Sequence, residues 1–341
     1  MRPASNNDNS TTPEAIIIIL NWNGLKDTLE CLRSLEALSY PNFSVIVVDN
    51  ASTEDPTEIL TSEFPNVNVL RLSKNLGYAG GNNAGIKWGL EKAADFFWLL
   101  NNDTTVPADT LSILVKKANS DQRLGLLSPV IYNDDDSQSI QCIFGYVDWK
   151  NFEYGATWKP DQTIPEGAST YLWGTALLIR RDVIERVGLL DEKYFAYAED
   201  RQYCIRAQSE GFEVDVAMDA GVIHKWARAS GGHNSPIKIY LAYRNNIFFW
   251  KEYLSTKNYI SFMVKNIRKL LEASMLLDKK GEHQQAGAYD DALWNGIVGN
   301  GGGTETKKRI PWPIRKLVFD HKYFWISFLD RAARARNKRQ A

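Results

Sequence analysis

The sequence has few cysteines, no long apolar runs and almost no net charge, and each shortage narrows what the chain does. Cys31, Cys142 and Cys204 are odd in number and lack metal-ligand spacing, so neither a disulfide framework nor a zinc site is suggested and a reducing compartment is expected. No apolar run approaches the roughly 18 residues needed to span a bilayer. Met1 to Glu14 is polar, without the apolar core of a signal peptide. Secretion and transmembrane anchoring are therefore not expected, and a cytoplasmic location is. The formal net charge of -1 gives no global attraction to nucleic acid, so no nucleic-acid partner is expected.

What is present fits a folded protein. With 44% hydrophobic and 24% charged residues, the chain suits one large α/β domain with an appendage. From Ala15 to about Val130, β-rich runs alternate with helical segments, the pattern of a parallel βαβ sheet. Strands are expected at Ala15–Leu20, Ser44–Val48, Val67–Leu72, Phe96–Leu100 and Gly125–Ile131. Helices are expected at Gly24–Leu38, Pro56–Glu63, Gly80–Lys92 and Pro107–Asn119. Polar residues cluster where strands end: Asn21 and Asn23, Asp49 and Asn50, Asn75, and Asn101 to Asp103. In an open parallel sheet the ligand crevice lies outside those carboxyl ends. Strand termination and helix capping explain any one of these residues, but account poorly for four ends together.

Further along, the acidic Asp134 to Asp136 run and the aromatic stretch to Trp158 read as a solvated loop. Tyr171–Arg180 suits one buried strand, followed by a helix at Asp182–Val187, a helix from Glu199-Asp200 through Glu210, and a strand ending at His224. Beyond Ile237 the chain is helical and aromatic. Gly299 to Gly303 reads as a flexible linker into a basic tail.

Asp49, after an apolar strand, is placed to accept a hydrogen bond from a nucleobase or to cap the next turn. Asn75 to Gly85 opens a helix with glycines, among them Gly80 and Gly81 before Asn82, that allow close backbone approach at an anion-attracting helix start. The segment lacks the dinucleotide G-x-G-x-x-G order and the lysine of a P-loop. Asp103 emerges from a buried strand as a carboxylate suited to a hard divalent cation that keeps substrate phosphates in its shell. His224, also at a strand end, is a candidate second ligand. Glu199-Asp200 is either an acidic helix start or a general base for a sugar hydroxyl.

Taken in order, Leu20-Asn21-Trp22-Asn23-Gly24, Val48-Asp49-Asn50-Ala51-Ser52, Asn75-Leu76-Gly77, Leu100-Asn101-Asn102-Asp103-Thr104 and Glu199-Asp200 resemble the family 2 glycosyltransferases of GT-A fold, most of all the rhamnosyltransferase branch with its late Arg244-Asn245 pair. The resemblance implies an α/β GT-A domain at 15–236, with a donor half at about 15–131 and an acceptor half at about 132–236. The residues outside it suggest a disordered tail at 1–14 and a helical, basic C-terminal extension at 237–341. The resemblance implies inverting transfer from a nucleoside diphosphate sugar of dTDP or UDP type, with Mn2+ or Mg2+ on the diphosphate, to a glycan or lipid-linked acceptor. By position, Asp49 matches the base-binding Asp, Asp103 the last carboxylate of D-x-D, Asp200 the catalytic base and His224 the metal-site His. Trp173, Gly174 and Glu199 fall on the acceptor side. The remaining donor contacts fall to Asn21, Asn23, Asn50, Ser52, Asn75, Gly80, Gly81, Asn82 and Asn102.

Three departures stand out. Asn101 replaces the first Asp of D-x-D, which leaves it a weaker metal neighbour. Gln202 stands where relatives often have a second Asp. Gly81 replaces the usual basic residue before Asn82, which leaves phosphate neutralisation to the metal, Arg228 or Arg244. Two other functions stay open: a sugar-phosphate nucleotidylyltransferase, and a glycan-binding protein without turnover. The aromatic and basic C-terminal region suits peripheral attachment to the anionic inner face of a plasma membrane; helix packing or a homodimer explains the same residues.

Overall fold

The computed structural model describes residues 12–135, 139–225, 235–322, 324–328 and 331. Its first half alternates β1 (Ala15–Asn21), α1 (Leu25–Leu35), β2 (Phe43–Asp49), α2 (Thr57–Glu63), β3 (Asn68–Arg71), α3 (Gly77–Glu91) and β4 (Phe96–Asn101). Then follow β5 (Thr104–Thr105), α4 (Thr110–Ser120) and β6 (Leu124–Asn133). The expected strands are all present. Helix α3 starts earlier than Gly80 because the Asn75 side chain accepts from the Gly77 N–H and Gly77 takes a left-handed φ of 73°. Helix α4 starts later than Pro107 because a turn closes first, with Thr110 N donating to Pro107 O.

The second half adds β7 (Ile140–Cys142), β8 (Gly145–Asp148), β9 (Glu153–Ala156), β10 (Ser169–Tyr171), β11 (Ala176–Arg180), α5 (Arg181–Val187), α6 (Glu199–Ser209) and β12 (Glu213–His224). Three helices complete the chain's larger elements: α7 (Pro236–Tyr253), α8 (Thr256–Lys279) and α9 (His283–Val298). The main sheet runs β3-β2-β1-β4-β11-β6-β12-β5, with β7 on β6. Strands β3, β2, β1 and β4 are mutually parallel, β11 is antiparallel to both β4 and β6, and β12 runs parallel to β6. The fold is mixed α/β of GT-A type, with helices following the sheet toward the C-terminus.

Strand β1 is apolar without interruption because both its faces are covered. Ile16 and Ile18 join Ile86 and Phe97 on one face; Ile17 and Ile19 join Cys31, Leu32 and Leu35 on the other. Helix α3 comes very close to the first face. A Cβ on Gly81 would strike Leu20, one on Gly85 would strike Ile18, and one on Gly89 would lie 2.7 Å from Phe97. The four-residue spacing puts all three glycines on one side of the helix.

Tyr171–Arg180 is not one strand: β10 belongs to a small sheet ordered β10-β8-β9, β11 to the main one, and the chain passes between them at Trp173-Gly174. The stretch from 134 to Trp158 is not a solvated loop over its described part. It supplies β7, β8 and β9 and buries Val147, Asp148 and Thr157; Asp136 lies outside the described residues. Strand β12 carries an irregularity, since Ala217 pairs with Pro129 while Gly221 pairs with the next residue, Val130. Its last residues pair with β5, His224 opposite Thr104.

Gly299 to Gly303 is packed rather than a free linker: Gly302 N donates to Lys193 O at 2.9 Å, and its carbonyl accepts from Arg244 at 2.6 Å. The basic C-terminal segment also finds partners upstream. Lys322 is buried against Asp278 and Asp290 at 3.1 and 2.8 Å, and Lys307 pairs with Asp291. No helix among the described residues is long and apolar enough to cross a membrane.

Candidate active site

The turn from β4 to β5 delivers Asp103, and the pairing of β5 with β12 brings His224 beside it. His224 Nε2 lies 3.1 Å from Asp103 Oδ1, and both side chains are buried. A relay fixes the imidazole. Asn133 Nδ2 donates to Ser139, Gln141 Nε2 donates to Asn133 Oδ1, and Gln141 Oε1 is left to accept at 2.7 Å from His224 Nδ1. With a proton on Nδ1 donated to Gln141, the imidazole leaves Nε2 to face a carboxylate oxygen, and in the tautomer that carries its only proton on Nδ1 it turns a lone pair there. In that tautomer two acceptors face each other, an arrangement that a divalent cation between them would satisfy. Asn101 Nδ2 stands 3.5 Å from the same nitrogen, a neighbour of the pair. No group of three or more His, Cys, Asp or Glu side chains gathers for a metal among the described residues. Among the described residues, Asp103 and His224 are the side chains that face each other in this way, and a diphosphate and water could complete the shell of a cation held there.

Asn102 does not join them. Its amide donates to Gly24 O and Thr28 Oγ1 at 3.2 and 3.0 Å, tying the turn to the start of α1.

Asp49 is fully buried. It accepts from Asn21 Nδ2 at 2.8 Å and from Ser52 N and Oγ at 3.2 and 2.5 Å, with Arg71 Nη1 at 3.5 Å. Asn21 Oδ1 accepts in turn from Thr28 Oγ1, and Ser52 Oγ accepts from Asn23 N. The carboxylate thus knits the ends of β1 and β2 together, and the rim it supports exposes Trp22 and Asn23. Asn50 does the same work toward α3, donating to Asn75 Oδ1 and Gly77 O and accepting from Leu76 N. In the glycine-rich segment, Gly81 packs on the sheet, Gly80 lies under Leu76, and Asn82 bonds back to Tyr78 O. These positions shape the helix start through packing. Arg71 was not found from the sequence, since nothing in its surroundings marks it as a neighbour of Asp49.

The acidic pair opens α6. Asp200 accepts from Gly174 N at 3.0 Å and from Arg201 N at 2.7 Å. Gly174 is held from its other side by Tyr78 Oη, which donates to its carbonyl, and a Cβ there would meet that hydroxyl at 2.7 Å. Trp173 packs against Tyr171. Glu199 is 4% exposed, and its Oε2 has no partner among the described residues. Burial and the neighbouring Asp200 charge push its carboxyl well above the ordinary range. Burial also raises Asp200, but two N–H bonds and the Arg201 charge pull it back.

The loop before the pair is strained. Phe195, Tyr197 and Ala198 all have φ between 62° and 71°, a region costly for residues with a Cβ. Arg244, expected to face phosphate, is instead fully buried and bonded to Asn245, Tyr194 O and Gly302 O. Its long reach to backbone carbonyls explains the correction. Arg228 lies outside the described residues. Gln202 holds Glu252 of α7. Arg201 was missed by sequence reasoning; its buried guanidinium lies 4.2 Å from the Tyr154 ring centre and 4.3 Å from that of Phe249.

Residues 16–188 match the family model described as glycosyl transferase family 2. The chain is 28% identical over 244 residues to the N-acetylglucosaminyl-diphospho-decaprenol L-rhamnosyltransferase of Mycobacterium tuberculosis, across 63% of this chain and 80% of that protein. It is 24% identical over 269 residues to the dTDP-rhamnosyl transferase RfbF of Shigella flexneri, across 74% of this chain and 83% of that one. Among solved structures it resembles the crystal structure of GalNAc-T7 with UDP, GalNAc and Mn2+, with a TM-score of 0.51 at 17% identity, over 66% of this chain and 46% of that one. At that identity the likeness is one of fold.

Proposed function

This chain belongs to glycosyl transferase family 2, and from that membership we propose inverting transfer of a sugar from a nucleoside diphosphate to an acceptor hydroxyl, with Asp200 as the base. The observation that carries this reading is the Asp200 carboxylate fixed at the head of α6, accepting from Gly174 N at 3.0 Å and Arg201 N at 2.7 Å. Asp200 accepts the hydroxyl proton as the acceptor oxygen attacks the anomeric carbon; the bond from that carbon to the diphosphate oxygen breaks, and the nucleoside diphosphate leaves. Attack opposite the leaving group inverts the anomeric centre. Trp173 and Gly174 border the acceptor's approach, since Gly174 N holds the base. Asn21, Asn23, Asp49, Asn50, Ser52 and Asn75 form the bonded rim for the donor. Asp103 and His224 fit a divalent cation, Mn2+ or Mg2+, which when bound would stabilise charge on the departing diphosphate.

L-rhamnose from a dTDP carrier is the donor we favour, supported by the two rhamnosyl-transferring relatives; the acceptor class is a glycan or a lipid-linked precursor. Family membership leaves no ground for the nucleotidyl-transfer alternative. We also propose that the chain works as a peripheral protein at an anionic membrane face, on the strength of an exposed aromatic and basic C-terminal surface.

The test separates chemistry from binding. Asp200→Asn should lose transfer by about a thousandfold or more, the scale of removing a base, while thermal shift by nucleoside diphosphate with Mn2+ stays as in wild type. Asp103→Asn should instead abolish the Mn2+-dependent part of that shift. Near-wild-type turnover by Asp200→Asn would sink the assignment of the base.

A further inference from the structure

The loop joining Tyr194 to Asp200 holds its shape against its own preferences. Phe195 has φ 62° and ψ -64° and is the centre of a three-residue turn closed by Ala196 N donating to Tyr194 O at 2.7 Å. That hand of γ-turn is rare and strained. Tyr197 and Ala198 then sit at φ 71°. Left-handed or γ conformations at residues bearing a Cβ cost on the order of 1–3 kcal/mol each, so something must over-determine them.

That something is a pair of side chains on α7. Asn245 Nδ2 lies 2.7 Å from Tyr194 O, 2.8 Å from Ala196 O and 2.7 Å from Tyr197 O. A cup of three carbonyl oxygens accepts a nitrogen with hydrogens and repels an oxygen, which fixes the orientation of the amide. Asn245 Oδ1 points the other way and accepts from Arg244 Nε and Nη2 at 3.0 and 2.8 Å. Arg244 also donates to Tyr194 O at 3.2 Å and, through Nη1, to Gly302 O at 2.6 Å. Arg244 and Asn245 are both fully buried.

The fourth carbonyl of the loop, Phe195 O, accepts from Ala79 N in the first turn of α3. Gly77 is a glycine for the same contact, since a Cβ there would strike the Phe195 backbone and ring. The loop therefore touches the helix at the donor end on one side and leads directly into Asp200 on the other.

We propose that Arg244 and Asn245 are positioning residues for sugar transfer: by holding the carbonyls of Tyr194, Ala196 and Tyr197 they keep the strained loop, and hence Asp200, in the geometry that accepts the acceptor's proton. The proposal rests on the transferase reading above. It touches no substrate atom directly. Releasing the clamp lets the loop relax toward ordinary backbone angles, displacing Asp200 from its bonds to Gly174 N and Arg201 N, while Asp103 and the strand ends of β1 and β2 stay in place.

The test splits kcat from donor binding in the full chain. Asn245→Ala should lower kcat for transfer by roughly 30-fold or more, the loss expected when a base is misplaced by about an ångström, with the donor KM and the Mn2+-dependent thermal shift by nucleoside diphosphate within twofold of wild type. Arg244→Lys keeps the buried charge but loses the fork that reaches Asn245 Oδ1, Tyr194 O and Gly302 O together; it should show the same split with a smaller fall, and it decides the matter if Asn245→Ala does not fold. Folded variants that retain kcat, or that lose donor affinity in proportion to kcat, would overturn the clamp. Absence of transfer by the wild-type chain would overturn the transferase reading instead.

Discussion

Glu199 and Asp200 are neighbours in sequence with different partners, and pH should reveal the burial of the first. Glu199 has an ordinary value of 4.5, and the folded state raises it because the carboxyl is desolvated and sits beside Asp200. The folded chain thus keeps a proton that the unfolded chain releases. Its contribution to stability is fully present below about pH 4.5 and declines as pH rises through the folded value. Glu199→Gln removes the titration, so its Tm should match wild type near pH 4 and exceed it at about pH 8. Parallel Tm curves for the two proteins across that range would mean that Glu199 ionises in the fold at no cost. The residue types at this scale were legible because an apolar run followed by Asn or Asp marks a strand end. Their directions were not. Asn102 turns back to Gly24 and Thr28 while its neighbour Asp103 faces His224, a choice made by the two-residue strand β5. The partner that orients His224 is Gln141, from a stretch whose charges and aromatics gave no strand signal.

Helix α3 shows what an element can hide. Alanine in place of a helical glycine ordinarily stabilises by about 1 kcal/mol. At Gly85 the new methyl would strike Ile18 and come within 3.2 Å of Val48, and overpacking of a rigid core costs about 1–3 kcal/mol. The second effect wins, so Gly85→Ala should lower Tm by roughly 2 °C or more, measured by calorimetry. A rise in Tm would show that the helix can move off the sheet. The glycines were legible as a cluster, and their chemistry was read as room for an anion; the four-residue period of Gly81, Gly85 and Gly89 points instead to a helix lying unusually close to β1. Strands β1, β2 and β4 were legible from unbroken apolar runs. The division between β10 and β11 was not, because Tyr171 to Ile179 is apolar apart from Gly174 and Thr175, and the chain crosses there, where Tyr78 donates to the Gly174 carbonyl.

Across the whole molecule, the C-terminal third both supports the site and presents a surface. Trp312, Leu317, Phe324 and Phe328 are 69%, 63%, 56% and 48% exposed, and Lys316 lies over the Trp312 ring at 5.0 Å. Aromatic side chains with cationic neighbours suit the headgroup zone of an anionic bilayer. The full chain should co-sediment with vesicles containing anionic lipid and be released as ionic strength rises to about 0.5 M, where screening is strong. The double variant Trp312→Ala, Phe324→Ala should bind several-fold more weakly; equal binding would refute a role for this surface. The sequence showed the basic charge of this region without its counterweights, because Asp278, Asp290 and Asp291 reach it from other helices.

The irregular stretch of β12 sets a length. Between Ala217 and Gly221 the strand advances four residues while β6 advances one, so residues 218–220 are slack. Were they paired regularly instead, at about 3.3 Å per residue, His224 would lie roughly 10 Å past its place opposite Thr104. Met218 and Asp219 are exposed, and their side chains are free to vary. The stretch takes three residues out of the ladder, so β12 resumes on the next residue of β6 and brings the imidazole to the turn that carries Asp103.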